Sequence, residues 1–310
     1  MSEPLINRHD MLILFEVTNG NPNGDPDSGN MPRVDPISSL GLVSDVCLKR
    51  KIRNYVDLFP IERNGRGFNI LIKQGAIIES EQKKAIEATK REGKGDAKRT
   101  RDWLCNEFYD VRTFGAVIST GDDVMKGSAY GQVRGPVQFT FGRSYHAVTP
   151  IEITITRCAV TKESEAKKER TMGQKYIVPY ALYAAKCYVS PAFARQTGFD
   201  QFDFDVLIQA MSNIFEHDRS AARGDMVVRG LWDFEHVGSQ EGSNSEQNRR
   251  EAGLGCAHAH KLFDTIKVRL ADETKLPNSF QDYQVHDDFS EHNFKGVKLH
   301  RRIDPKTQDR

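Results

Sequence analysis

Residues 9–17 read HDMLILFEV, an almost unbroken apolar run with polar residues at its ends. A run this short, followed at once by turn signals, predicts a strand at the centre of a sheet, buried on both faces. Residues 16–36, EVTNGNPNGDPDSGNMPRVDP, are crowded with Asn, Gly, Asp and Pro. Pro and Gly punctuate a chain, and Asn and Asp side chains bond their own backbone, so this stretch predicts turns. Its three aspartates, Asp25, Asp27 and Asp35, leave two readings open: a carboxylate site for a metal, or a surface shaped by turns.

Moving outward, residues 41–59 (GLVSDVCLKRKIRNYVDLF) carry Leu48, Ile52, Tyr55, Val56 and Phe59 at the spacing of one helix face. Ser44 and Asp45 supply a start signal and Pro60 a stop. Four of the five residues from Lys49 to Arg53 are basic; Arg50 and Arg53 project opposite the apolar stripe, Lys49 lies at its border and Lys51 on the other flank. Residues 60–149 read as a mixed insertion, with a solvated helix over 79–92, another over 99–109, and glycine-broken, strand-prone segments DVRTFGAVIS and GQVRGPVQFTFGRS. Alternation of Ile151, Ile153 and Ile155 with polar residues predicts a half-buried strand, and a charged stretch, TKESEAKKERTMG, interrupts the β structure after it. A strand-like run to Pro191 contains Pro179, which demotes part of it to an edge or bulge. Phe204, Leu207, Ile208, Met211, Ile214 and Phe215 mark a second amphipathic helix, and MVVRGLWDFEHV a final strand.

The core order is thus strand, helix, strand, strand, helix, strand. It predicts an α+β fold of the ferredoxin-like or RNA-recognition-motif (RRM) kind, a four-stranded antiparallel sheet backed by two helices. The tail from Gly238 is polar before KLFDTIKVRL resumes order.

The 310 residues hold 44 basic and 43 acidic side chains, a net charge of +1, so phosphate binding has to come from local clusters. No apolar run approaches a membrane span and the amino terminus is too polar for a signal peptide, which predicts a cytoplasmic protein. Five scattered cysteines predict reduced thiols, and Cys256-x-His258-x-His260 lacks the distant second pair of a zinc site. No metal or cofactor is expected. The basic helix patch Lys49, Arg50, Lys51 and Arg53 can neutralise successive phosphates without reading bases. Adjacent support comes from the Lys73 and Arg66 region, and Arg33 at the loop exit and the GQVRGPVQFTFGRS segment, with Gln132, Arg134 and Arg143, extend the patch; the segment's glycines permit close backbone approach. The aromatics lack the spacing of a base-stacking RRM strand pair.

Four segments taken together, LFEVTNGNPNGDPDSGNMPRVDP, GLVSDVCLKRKIRNYV, DVRTFGAVIS with GQVRGPVQFTFGRS, and ITITRCAVT with MGQKYIVPYALY, resemble the backbone subunit of the type I-C CRISPR surveillance complex (Cascade), of the Cas-seven family. The resemblance spans roughly residues 8–240 and implies a hand-shaped protein. Its RRM-like palm would comprise 1–59, 150–160 and 175–237, its fingers 60–149 and its thumb 161–174, leaving 238–310 as a polar web and tail. It further implies copies stacked head to tail along a CRISPR guide RNA, target DNA engaged through guide pairing, other Cascade subunits and a recruited nuclease-helicase as partners, and antiviral defence as the task. Lys49, Arg50 and Arg53 would grip the guide backbone and Met172 would press on a base. No residue would be catalytic.

Two enzymatic readings compete. Type III relatives cut RNA with a loop aspartate and a metal, a role open to Asp25, Asp27 or Asp35. A guide-processing endonuclease could instead use His146 or His217 as general base. The aspartates lie beside Pro and Gly, as turn formers do, and that favours the scaffold.

Overall fold

The computed structural model of the chain describes residues 3–59, 61–63, 65–90, 95–118, 125, 127–156, 159, 172–239 and 246–307. Strand β1 (His9–Gly20) is buried along almost its whole length, because both faces of its sheet are covered. The chain then makes a two-rung hairpin, β2 (Gly24–Asp25) with β3 (Met31–Pro32), and enters the sheet edge as β4 (Leu40–Val43). Residues 41–43, which begin the stretch read as helical but precede its start signal at Ser44, are strand and pair with residues 142–147. Helix α1 (Asp45–Leu58) starts where expected, its N-cap Ser44 hydroxyl accepting from the Cys47 N–H at 3.3 Å. Pro60, the expected stop, lies outside the described residues.

The inserted region opens with α2 (Ile78–Thr89) and α3 (Ala97–Glu107), close to the two helices read from sequence. Residues 110–114, expected to be strand-prone, instead belong to α4 (Tyr109–Phe114), all of it buried. Gly115 ends this helix at φ 81°, a conformation glycine adopts without strain. Strands β5 (Gly115–Val117) and β6 (Gln132–Arg134) pair with each other. Leu71, Ala85, Leu104, Val111 and Val133 give this region an apolar cluster of its own.

Strands β7 (Val137–Phe139) and β8 (Gly142–Ala147) return to the main sheet and pair with β10 (Met172–Val189). The strand expected to be half-buried, β9 (Ile151–Thr156), is exposed at every position. Among the described residues it pairs only with the first residues of β10, Met172 to Ile177, and β10 reaches β1 from Val178 onward. The second-strand place in the palm-like sheet is thus held by β7 and β8, which sequence reading put in the insertion. Alternating Ile and polar residues look the same on a half-buried strand and on a free hairpin. Pro179 stands exposed at the handover between the two partners of β10, which is why a proline is tolerated there. Of the segment 161–174, residues 161–171 lie outside the described residues.

Helices α5 (Pro191–Thr197) and α6 (Gln201–Ser212) lead to β11 (Asp225–His236); Asp200 and Asp203 form a reciprocal capping box at the start of α6. The tail is more ordered than its polarity predicts, with α7 (Glu246–Leu254), α8 (Ala259–Phe263), the hairpin β12 (Ile266–Leu270) and β13 (Tyr283–Asp287), and β14 (Val297–Ile303).

The main sheet runs β14-β11-β1-β10-β8-β4, with β7 and β9 also on β10. Its centre, β11-β1-β10 with β7 and β8, has the antiparallel order of the expected α+β fold, and β14 and β4 enlarge it. On one face Met11, Ile13, Phe15 and Val17 meet Leu48, Ile52 and Val56 of α1 and Phe204, Leu207 and Met211 of α6. On the other, Leu12, Leu14, Trp232 and Phe234 meet Leu262, Phe263, Ile266, Tyr283 and Val297 of the tail. The tail therefore packs over the sheet face that an RRM leaves open for bases.

Two buried polar pairs pin this arrangement. Asp233 accepts from His9 at 2.8 Å and from Arg302 of β14 at 2.9 Å. Burial alone would raise its carboxyl, but His9 and Arg302 hold it below the usual range. His236 contacts Asp10 at 3.0 Å and, through its other ring nitrogen, accepts from the Cys256 N–H at 2.9 Å.

Candidate nucleic-acid interface

The loop after β1 is held by its own polar side chains. Asp25 accepts from the Asp27 N–H at 3.2 Å and pairs with Arg33 at 3.2 Å. Asp35 accepts from the Ile37 N–H at 3.0 Å and from Arg143 of β8 at 2.8 Å. These bonds, the one from Ile37 foremost, hold the Asp35 carboxyl below its ordinary value. Asn23, which sequence reading passed over, accepts from both the N–H and the hydroxyl of Ser44 at 2.9 Å, tying the loop to the start of α1. Asp25 and Asp35 thus act as turn and cap acceptors. Among the described residues no three His, Cys, Asp or Glu side chains are grouped to hold a metal ion.

Beside the loop, α1 packs against β7 and α4. Lys49 bonds Asp45 at 3.1 Å and Gln138 of β7 at 3.3 Å. Arg53 donates to Asp110 at 2.9 Å and lies 5.1 Å from the Phe114 ring centroid. Asp110 also accepts from the Leu71 and Ile72 N–H groups at 2.9 and 3.0 Å, so it anchors α1 to the inserted region. Arg50 and Arg134 are exposed, and neither has an acidic partner among the described residues. Gln132 is exposed on the same strand as Arg134.

The nine positions singled out from sequence therefore divide. Arg50, Arg134 and Gln132 are open to a ligand; Arg33 and Arg143 are exposed enough to exchange their aspartates for phosphates. Lys49 and Arg53 are largely enclosed, each with a carboxylate already bound. Lys51 points inward: it is only 4 % exposed, ion-paired with Asp218 and seated 5.6 Å from the Phe215 ring. Its partner is remote in sequence, so the basic run alone gave no sign of it. Met172 stands far off on the β9–β10 hairpin, 70 % exposed.

The second glycine of GQVRGP has a structural reason. A side chain at Gly135 would collide with the backbone of Phe114 and Gly115, where β6 crosses the end of α4. The close approach is to the chain's own backbone.

The two candidate histidines are engaged elsewhere. His217 contacts the Lys51 carbonyl at 3.0 Å and the Asn213 carbonyl at 3.3 Å, bridging the end of α6 to α1. His146 contacts the Tyr283 hydroxyl, and burial lowers its pKa.

The family model for the CRISPR-associated protein Cas7 matches residues 7–288, from β1 to the end of β13. The chain belongs to the Cas7 family. The CRISPR-associated protein Cas7 of Haloferax volcanii is 27% identical over 222 residues, which span 65% of this chain and 62% of that relative's length. Among solved structures, a chain of a CRISPR RNA-guided surveillance complex in a pre-nicking state is 14% identical over 77% of this chain and 80% of its own, with a TM-score of 0.47. A chain of the type III-B Cmr-beta complex bound to cognate target RNA is 13% identical over 73% of this chain and 60% of its own, with a TM-score of 0.41. No helix among the described residues is long and apolar enough to cross a membrane.

Proposed function

We propose that this Cas7-family chain is a non-catalytic backbone subunit that binds a CRISPR guide RNA and polymerises along it, in a surveillance complex of type I-C. The observation that carries the reading is the exposed edge of α1, tied to the turn-built loop through Ser44 and Asn23 and to β7 through Lys49 and Gln138, with Arg134 exposed on β6 just before β7. There Arg50 and Arg134 stand without acidic partners among the described residues, and Arg33 is held in the loop in a half-buried pair with Asp25. Cations placed along a surface grip a backbone without reading sequence, which suits a protein that delegates recognition to base pairing.

On this reading the sheet with α1 and α6 is the palm, the lobe built on α2 and α3 the fingers, and the β9–β10 hairpin the stem of the thumb. The exposed Ile151, Ile153, Ile155 and Met172 then belong to the contact with a neighbouring copy and with the guide. Further copies join head to tail, a heterologous contact that builds an open helix. Target DNA reaches the complex through guide pairing, and other subunits and a nuclease-helicase join it in the cytoplasm. Asp25 and Asp35 support no cleavage role, since they spend their oxygens on backbone N–H groups and arginines.

The test is co-expression with a guide locus. The expected product is an elongated particle with protected RNA in fixed proportion to protein, left uncut in magnesium. Magnesium-dependent cleavage lost in Asp35→Ala would overturn the reading.

A further inference from the structure

The tail covers the sheet face opposite α1 only in part. Its edge runs along α8 and β12, and beyond it the face over β10 and β8 lies open. Between them is a groove with a cavity volume of about 810 Å³. Its floor is made by Leu12, Ala184 and Ser144, its tail wall by Phe263, Ile266 and Val268.

The side chains around this floor are uneven in charge. Arg143, Lys186, Lys267 and Arg269 line it against a single carboxylate, Asp264. In a chain with 44 basic and 43 acidic residues, a four-to-one lining is a local departure, not a reflection of the whole. Lys267 is engaged with Asp288 at 2.6 Å and Arg143 with Asp35, both in exposed pairs that a phosphate can replace. Lys186 and Arg269 have no acidic partner among the described residues; the Lys186 ammonium lies 5.1 Å from the Phe263 ring centroid.

Two aromatic rings complete the lining. Phe141 is 51 % and Tyr145 39 % exposed. Phe141, Arg143 and Tyr145 are spaced by two residues along and just before β8, so they lie on one side of the sheet, the side of Leu12 and Ala184. Exposed rings between cations are what a single strand needs: stacking surfaces for bases and charge for the backbone. An apolar protein segment would leave Lys186 and Arg269 unanswered.

We propose that this groove binds a single-stranded polynucleotide, with Lys186 and Arg269 on phosphates and Tyr145 and Phe141 under bases. It is a second nucleic-acid surface, separated from the α1 surface by the thickness of the sheet. The inference goes beyond the proposed guide-binding role and does not need it. The same chemistry would accept either a stretch of the guide RNA or a strand of DNA.

The experiment uses the full chain purified with its guide, to which a fluorescent 20-nucleotide oligo-dT is added. Binding is followed by anisotropy over a salt series, and ultraviolet crosslinks are mapped by mass spectrometry. Lys186→Gln with Arg269→Gln is expected to weaken oligo-dT binding about tenfold and to make the log–log salt slope shallower by about 1.4, the value for two phosphate contacts on a single strand. Crosslinks at Tyr145 to deoxythymidine assign the groove to DNA, and crosslinks there to ribonucleotides assign it to guide RNA; either supports the proposal. Arg269→Glu alone, on an exposed side chain, gives the same direction if the double variant fails to fold. Unchanged binding, slope and crosslinks in the variants would overturn the proposal. So would loss of self-association with polynucleotide binding intact, because the groove would then hold an acidic segment of another copy. Arg50→Glu reports on the α1 surface separately, so failure of guide binding there is distinguishable from failure of the groove.

Discussion

Two groups of cations, Arg63, Arg66 and Arg112 in one and Arg50 and Arg134 in the other, are opposite in surroundings. Arg112 is fully buried, donates to Asp203 at 2.9 and 3.0 Å and lies 4.5 Å from the Phe68 ring. Arg63 and Arg66 converge on Asp200 and Asp203 at the capped start of α6. Every guanidinium there meets a carboxylate from the facing element, so that cluster joins the inserted region to the sheet's helices. At the edge of α1 the described residues supply no carboxylates for Arg50 and Arg134. The difference teaches that partners, not the number of basic residues, tell a structural cluster from one left open to a ligand.

Breaking the comparison from the structural side gives the largest stability effect. Asp203→Ala leaves Arg112 buried without its carboxylate and is expected to cost about 3–5 kcal/mol in chemical denaturation. A loss below about 1 kcal/mol would show that the cluster does not hold the lobes together. Lys51→Ala comes next. It removes one partner of a buried pair while Arg223 still bonds Asp218 at 2.8 Å, for an expected loss of about 1.5–3 kcal/mol with RNA retention unchanged. Weaker RNA binding in a folded Lys51→Ala protein would move Lys51 into the interface.

Acid titration sharpens the same contrast. The Asp233 carboxyl sits below its ordinary value of 3.8 in the folded protein. A lowered carboxylate contributes stability that is present above the unfolded value and lost as pH falls through the folded one. The loss is therefore expected below about pH 3.8, and Asp233→Asn should flatten the stability profile in that window. An unchanged profile would mean that the His9–Asp233–Arg302 link contributes nothing there. Smallest of all in stability is Arg50→Glu with Arg134→Glu, expected within about 0.5 kcal/mol of the parent because neither side chain has an acidic partner to lose among the described residues.

How far the sequence showed this depends on the residue. β1 and α1 were legible because an unbroken apolar run and a 3.6-residue stripe are strong signals, and Ser44 capped α1 where it was expected to. β7 and β8 were not, because short glycine-broken strands carry no period long enough to read. The exposed state of β9 was hidden, since alternation gives the spacing of a strand and not what covers it. At the candidate site, the aspartates were legible as turn formers from the Pro and Gly beside them. Lys51 was not legible as a buried residue, because Asp218 lies 167 positions away. Asp110 gave no signal either; its role comes from the meeting of α1 with residues 71–72.

The most direct test of the central claim is guide retention by Arg50→Glu with Arg134→Glu, measured as nuclease-protected RNA per protein after purification at several salt concentrations. The account predicts at least a tenfold loss at physiological salt, equal for unrelated guide sequences, with a salt dependence shallower by about 1.4. Full retention by a stably folded variant, or a loss that depends on guide sequence, would contradict it.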